Sequence, residues 1–163
     1  MLLKIKNKDT LEYEDFKLKC SIGKNGIKKN KIEGDKSTPK GLFNLGTVYY
    51  RSDRSLEPQT SLKKKIIKKN MVWCDDPSSK FYNKEAIKNK TFKYENLYRK
   101  DHKYDIFLVI KYNYKKVISG IGSAIFIHLT KNYKPTAGCI ALKKKDFLIL
   151  LKLIKKSDKI KIT

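Results

Sequence analysis

Gly122–Leu142 reads GSAIFIHLTKNYKPTAGCIAL, two apolar runs separated by a polar stretch that ends in proline. Ser123–Leu129 (SAIFIHL) and Cys139–Leu142 (CIAL) have the aliphatic and aromatic content of strands, and Thr130–Pro135 between them reads as a loop. If the two strands lie side by side, the imidazole of His128 and the thiol of Cys139 come within hydrogen-bond reach.

Outward from this pair the chain stays strand-rich. Tyr104–Tyr112 (YDIFLVIKY) is a near-continuous apolar run, suited to a strand buried on both faces. Leu42–Tyr50 is another strand, Phe16–Ile22 alternates as a half-buried strand should, and Leu2–Lys6 is short and alternating. Gly23-Lys24-Asn25-Gly26 predicts a turn and Ser37–Gly41 a loop. Residues 52–100 are the least regular and read as functional loops around one or two short strands such as Lys65–Lys68. Phe147, Leu150, Leu151 and Ile154 recur at helical spacing and predict one helix over Lys144–Lys156, with Asp146 in its first turn and Lys155 and Lys156 in its last. Lys159–Thr163 closes the chain as a strand. The expectation is a single domain over residues 1–163, mainly β, with a loop-rich middle and one helix near the C-terminus.

Composition narrows the function classes. The net charge of +23 invites a nucleic-acid partner, but only three of 39 basic residues are arginine (Arg51, Arg54, Arg99) and the lysines are spread along the chain. We therefore expect no specific nucleic-acid partner, while attraction to an anionic polymer such as cell wall stays reasonable. Three widely spaced cysteines without a CxxC pair argue against a disulfide framework, and two histidines are too few for most histidine metal sites. No metal or other cofactor is expected. No stretch is long and apolar enough for a membrane helix, and Met1–Phe16 does not read as a secretory signal peptide.

The chemistry centres on Pro135-Thr136-Ala137-Gly138-Cys139. Small residues ahead of a thiol let a substrate backbone approach and let consecutive N–H groups share one space, as an oxyanion hole requires. An ordinary thiol must be pushed toward thiolate to attack well, and His128 is the candidate base. From spacing alone two bland readings stay open: Cys139 as a small core residue and His128 as a satisfied core histidine.

The segment GSAIFIHL…KPTAGCIAL resembles the active-site signature of L,D-transpeptidases of the YkuD type, in the branch with Gly-Ser-Ala-Ile-Phe-x-His followed by Pro-Thr-Ala-Gly-Cys. GDKSTPKGLFNLG (Gly34–Gly46), YYRSDR (Tyr49–Arg54), WCDDP (Trp73–Pro77), Tyr82-Asn83 and YDIFLVIKYN (Tyr104–Asn113) fall in the same order as in that branch. The resemblance implies a β-sandwich-like catalytic domain acting at the cell envelope on peptidoglycan stem peptides. It implies a thioester on Cys139 formed at the L-centre carbonyl of a tetrapeptide, release of D-alanine, and transfer to an amine, or to water in a carboxypeptidase or amidase. His128 is then the base, and the Gly138 and Cys139 N–H groups are the oxyanion donors. The chain departs from the commoner family pattern. Ala137 stands for a second histidine, Ala141 for an Asn or Arg two residues after the thiol, and the loop from His128 to Cys139 is short. A different class, a basic binding module without turnover, remains the alternative.

Weaker candidates surround this pair. Arg51 and Arg54 either hold substrate carboxylates or brace a loop through Asp53 and other acids. Asp75 and Asp76, beside Trp73, either bind the amine of a diamino acid or serve the turn in WCDDP. Ser123 either places a hydroxyl near the site or starts its strand, and Thr136 belongs to the substrate-facing loop. Cys20 and Cys74 are expected to be structural.

Overall fold

The computed structural model describes residues 1–163. Its strands in chain order are β1 (Leu2–Asn7), β2 (Thr10–Tyr13), β3 (Phe16–Ser21), β4 (Ile27–Lys28), β5 (Thr38–Pro39), β6 (Gly41–Tyr50), β7 (Lys64–Ile66), β8 (Met71–Cys74), β9 (Glu85–Ile87), β10 (Tyr94–Asn96), β11 (Ile106–Ile110), β12 (Phe126–Leu129) and β13 (Ile140–Leu142). A single helix, α1 (Lys144–Leu153), and a last strand, β14 (Lys159–Ile162), follow. The domain is mainly β with one late helix, as expected.

Nine strands form one sheet in the order β11-β12-β13-β3-β2-β1-β14-β6-β7, and β11 also pairs with β6, so the hydrogen-bonded circuit closes on itself. Two strands serve both halves of this circuit. The first half of β6 pairs with β14 and its second half with β11, while β3 pairs with β2 and, at Cys20 and Ser21, with β13. The main core lies between the halves and takes Leu3, Ile5, Leu108, Ile127, Ile140 and Leu142, with Phe147, Leu150 and Leu151 of α1.

The middle of the chain differs from the expectation of loops. β8 pairs antiparallel with both β9 and β10 to make a separate three-stranded sheet. Its strands are three or four residues long, and β9 and β10 mix polar with apolar residues, too short for a period to show in the sequence. The short strand near Lys65 is present, as β7. Within Ser37–Gly41, Thr38 and Pro39 form the small strand β5 against β4. The helix ends three residues early. Ile154 is extended, and its carbonyl accepts the Ser61 hydroxyl at 3.1 Å, so Lys152, not Lys155 or Lys156, is the base of the last turn.

Candidate active site

Alternation along β11, β12 and β13 builds the site. Ile106, Leu108 and Ile110, with Ile127, Leu129, Ile140 and Leu142, face the main core. Phe107, Val109, Phe126 and Cys139 face the other way, into a second cluster with Trp73, Met71 and Leu97 from the middle segment. Sheets buried on both faces carry such unbroken apolar runs. β12 and β13 are parallel neighbours with His128 opposite Ala141, so His128 and Cys139 share the second face.

The thiol is buried, at 8% exposure, and held from two sides. Sγ accepts the Phe126 N–H at 3.3 Å and donates to the Ala124 carbonyl at 3.1 Å. Ala124 adopts a left-handed φ of 52°, and its N–H is fixed on Asn83 Oδ1 at 3.0 Å. Asn83 uses its whole amide: Oδ1 also accepts from Trp73 Nε1, and Nδ2 donates to the Tyr112 and Asn113 carbonyls. Burial pushes the Cys139 thiol up to about 12, with the Glu95 carboxylate adding to the shift and the Phe126 N–H and the Lys31 charge opposing it.

His128 is equally enclosed, and burial lowers its pKa to about 4 against the opposing pull of the Leu129 carbonyl. Its Nδ1 lies 2.9 Å from that carbonyl oxygen, which can only accept, so Nδ1 carries the proton and Nε2 keeps the lone pair. The ring of Tyr104 stands edge-on to the imidazole, 5.5 Å between centroids. His128 and Cys139 line one cleft of about 1210 Å³ without hydrogen-bonding each other. The expected thiolate held by imidazole is therefore replaced by a neutral pair, a protonated thiol and an imidazole free to accept.

The loop before the thiol is closely packed and hydrogen-bonded on several sides. Gly138 has φ of 141°, and a Cβ there would strike the Ser37 carbonyl oxygen at 2.7 Å. Its carbonyl accepts the Thr38 hydroxyl at 2.8 Å, and Thr136 is stitched to Ile22 and Lys24 through its backbone. The Thr136 hydroxyl donates to the Cys139 carbonyl at 2.6 Å and accepts the Gly138 N–H at 3.1 Å. Of the two expected oxyanion donors, only the Cys139 N–H has no partner within the protein. The Gly138 N–H is occupied.

Ser123 and Asp75 both line the cleft. The Ser123 hydroxyl donates to Glu33 at 2.7 Å. Asp75 Oδ1 is buried without a hydrogen-bond partner, and burial followed by the charge of Glu33 raises its carboxyl. The turn role belongs to Asp76, which accepts from Ser78 and from the Lys93 N–H.

Trp73 and the two arginines are corrections. The indole is 3% exposed, packs edge-on to Phe126 at 5.1 Å and spends its N–H on Asn83, so it shapes the wall from behind. Arg51 grips Asp53 with two bonds, at 2.7 and 2.6 Å, donates to the Arg99 carbonyl and stacks 3.4 Å from the Tyr98 ring centre. Arg54 holds the Asp101 and Lys100 carbonyls and Asp105. Neither lines the cleft, and both brace the loop. Cys20 and Cys74 are buried, at 1% and 0% exposure, in clusters that do not contain Cys139, and neither lines the cleft. His102 is exposed at the rim, against Asp105.

Lys31, Glu33 and Glu95 line the cleft with no motif or period to mark them in the sequence, and Arg99 and Tyr104, which stand out only as one of three arginines and as the start of a buried strand, line it too. Lys31 and Glu33 lie just ahead of the GDKSTPKG motif, and Glu95 and Arg99 sit in YENLYR, short polar segments without period. Among cations such as Lys31, Lys103 and Arg99, this cleft also holds Glu33, Asp75 and Glu95, close enough that the charges of the first two add to the rise that burial gives the Glu95 carboxyl. Glu95 accepts from the Tyr104 hydroxyl, and burial raises its carboxyl.

The family model for YkuD, the L,D-transpeptidase catalytic domain, matches residues 2–162. No curated protein and no solved structure matches the chain.

Proposed function

Because the chain belongs to the L,D-transpeptidase catalytic domain family, a family of cysteine-dependent enzymes that modify peptidoglycan, we propose that it transfers acyl groups from peptidoglycan stem peptides through a thioester on Cys139. The observation that carries this reading is the buried imidazole of His128, protonated on Nδ1 and bare on Nε2, in one cleft with the thiol. No helix of the domain is long and apolar enough to cross a membrane.

The thiol leaves the Ala124 carbonyl as substrate enters and passes its proton to Nε2. The sulfur adds to the L-centre carbonyl of a tetrapeptide stem, and the carbonyl electrons move onto oxygen. Collapse breaks the C–N bond, and the imidazolium returns the proton to the departing D-alanine amine. The thioester is then resolved by an amine, giving a cross-link, or by water, giving a tripeptide. Asp75, with a buried oxygen lacking a partner, suits the ammonium of a diamino acid in the stem.

Incubation with purified disaccharide tetrapeptides, read by mass spectrometry, tests the reading. Loss of alanine with dimers supports the transferase and loss without dimers the carboxypeptidase. Unchanged tetrapeptide at all concentrations overturns both.

A further inference from the structure

Lys31 stands apart from the other lysines of this chain. Its side chain is 3% exposed, and it lines the cleft beside the nucleophile. Two glycines make room for it. A Cβ on Gly122 would meet the Lys31 Cε at 2.7 Å, and a Cβ on Gly138 would lie 3.6 Å from its Nζ. The ammonium thus sits against the residue that precedes Cys139. Nζ donates to Asp35 Oδ1 at 2.7 Å and to the Ile32 carbonyl at 3.4 Å, which leaves one of three donors unspent. Asp35 is saturated, since it also accepts from the Ile32 and Ser37 N–H groups and the Ser37 hydroxyl. That network fixes the charge in place before any substrate arrives.

Acyl transfer places a full negative charge on the former carbonyl oxygen, next to the backbone of residues 138 and 139. One expected donor, the Gly138 N–H, is spent on Thr136, and Ala141 stands where the commoner pattern has Asn or Arg. Positive charge must come from another group, and Lys31 is the cation packed against Gly138. Resting on the acyl-transfer reading above, we propose that the Lys31 ammonium, together with the Cys139 N–H, stabilises the oxyanion formed when Cys139 attacks.

Two reagents separate this role from others. Acylation of Cys139 by p-nitrophenyl acetate forms an S–C bond, passes through an oxyanion and breaks the ester C–O bond, releasing p-nitrophenolate. Alkylation by iodoacetamide consumes the same thiolate by displacing iodide and forms no oxyanion. Lys31→Met should slow acylation by about 10²-fold, the usual loss for one oxyanion donor, while alkylation changes by about threefold or less. Lys31→Arg should keep much of the acylation rate. Because Lys31→Met strands the Asp35 carboxylate, the pair Lys31→Met with Asp35→Asn is measured alongside and should show the same split. Equal losses with both reagents, or acylation unchanged in a folded variant, would overturn the proposal. So would a raised KM for a carboxylate-bearing peptide with ester acylation intact, which would assign Lys31 to the substrate carboxylate. Failure of the unaltered protein to acylate at Cys139 would overturn the parent reading and Lys31 with it.

Discussion

The Cys139 thiol donates to the carbonyl oxygen of Ala124, 3.1 Å away, while the bare Nε2 of His128 waits in the same cleft. Ala124 reaches that position through a left-handed backbone, φ 52°, held by its N–H donating to Asn83 Oδ1. The proton to be abstracted is therefore parked on the backbone rather than on the base, and the neutral pair must be activated by substrate.

Alkylation rates should report that parked proton. With its thiol pushed up to about 12, Cys139 should react with iodoacetamide at least about tenfold more slowly near pH 7 than an exposed thiol, with a rate still climbing above pH 9. Cys139→Ala should abolish peptide turnover with the fold retained by circular dichroism. A plateau in the alkylation rate near neutral pH would show a thiolate already formed and defeat this account.

Loss of the base should cost about 10²-fold or more in turnover for His128→Ala. His102, exposed and tied to Asp105, should be replaceable by alanine with little change. Paired kcat/KM measurements on the two variants decide it, and a larger loss at His102 would reverse the assignment.

Stability should fall as pH drops from about 6.5 to about 4. The unfolded chain takes up a proton on His128 near its ordinary pKa, whereas burial makes the folded chain refuse it until about 4. The loss accumulates through that window to about 3 kcal/mol. Urea unfolding across the pH range should give a shallower slope for His128→Gln than for the unaltered protein. Parallel slopes would mean that another group controls the acid limb.

Arg51→Lys should lower Tm by a few degrees and leave KM for stem peptides unchanged. Lysine cannot reproduce the two-pronged grip on Asp53 or the stack on Tyr98. Differential scanning calorimetry with steady-state kinetics checks both halves. A KM rise with unchanged Tm would return Arg51 to substrate binding.

Salt separates wall enzyme from nucleic-acid module. Anisotropy with short DNA and RNA should show binding that is sequence-insensitive and steeply lost with rising salt, given +23 carried mostly by lysine. Peptide turnover, set by close contacts in the cleft, should fall much less over the same range. Tight, sequence-selective binding at physiological salt without turnover would favour the module.

The strand that carries His128 and the one that begins just after Cys139 are legible because their apolar runs survive in one dimension. The sequence leaves open whether they pair, and the short loop between them does not reveal that they run parallel. The cleft wall was not legible. Glu85–Ile87 and Tyr94–Asn96 show no pattern, and their order comes from pairing with Met71–Cys74. Arginine chemistry pointed to carboxylates correctly, but the carboxylates at Arg51 and Arg54 belong to Asp53 and Asp105. Lys31 was hidden by abundance. In a lysine-loaded chain only burial between Gly122 and Gly138 distinguishes it.

The closed strand circuit also sets the order of assembly. β14 fits between β1, more than 150 residues earlier, and β6, with Leu3 opposite Ile160 and Phe43 opposite Ile160 on the far side. Until Lys159–Ile162 leaves the ribosome, both flanking strands have bare backbone edges, and the core against α1 stays open on that side. Pairing of such sequence separation makes for slow, late-committing folding. The nucleophile, 20 residues upstream of Lys159, thus precedes in the chain the strand that joins β1 to β6.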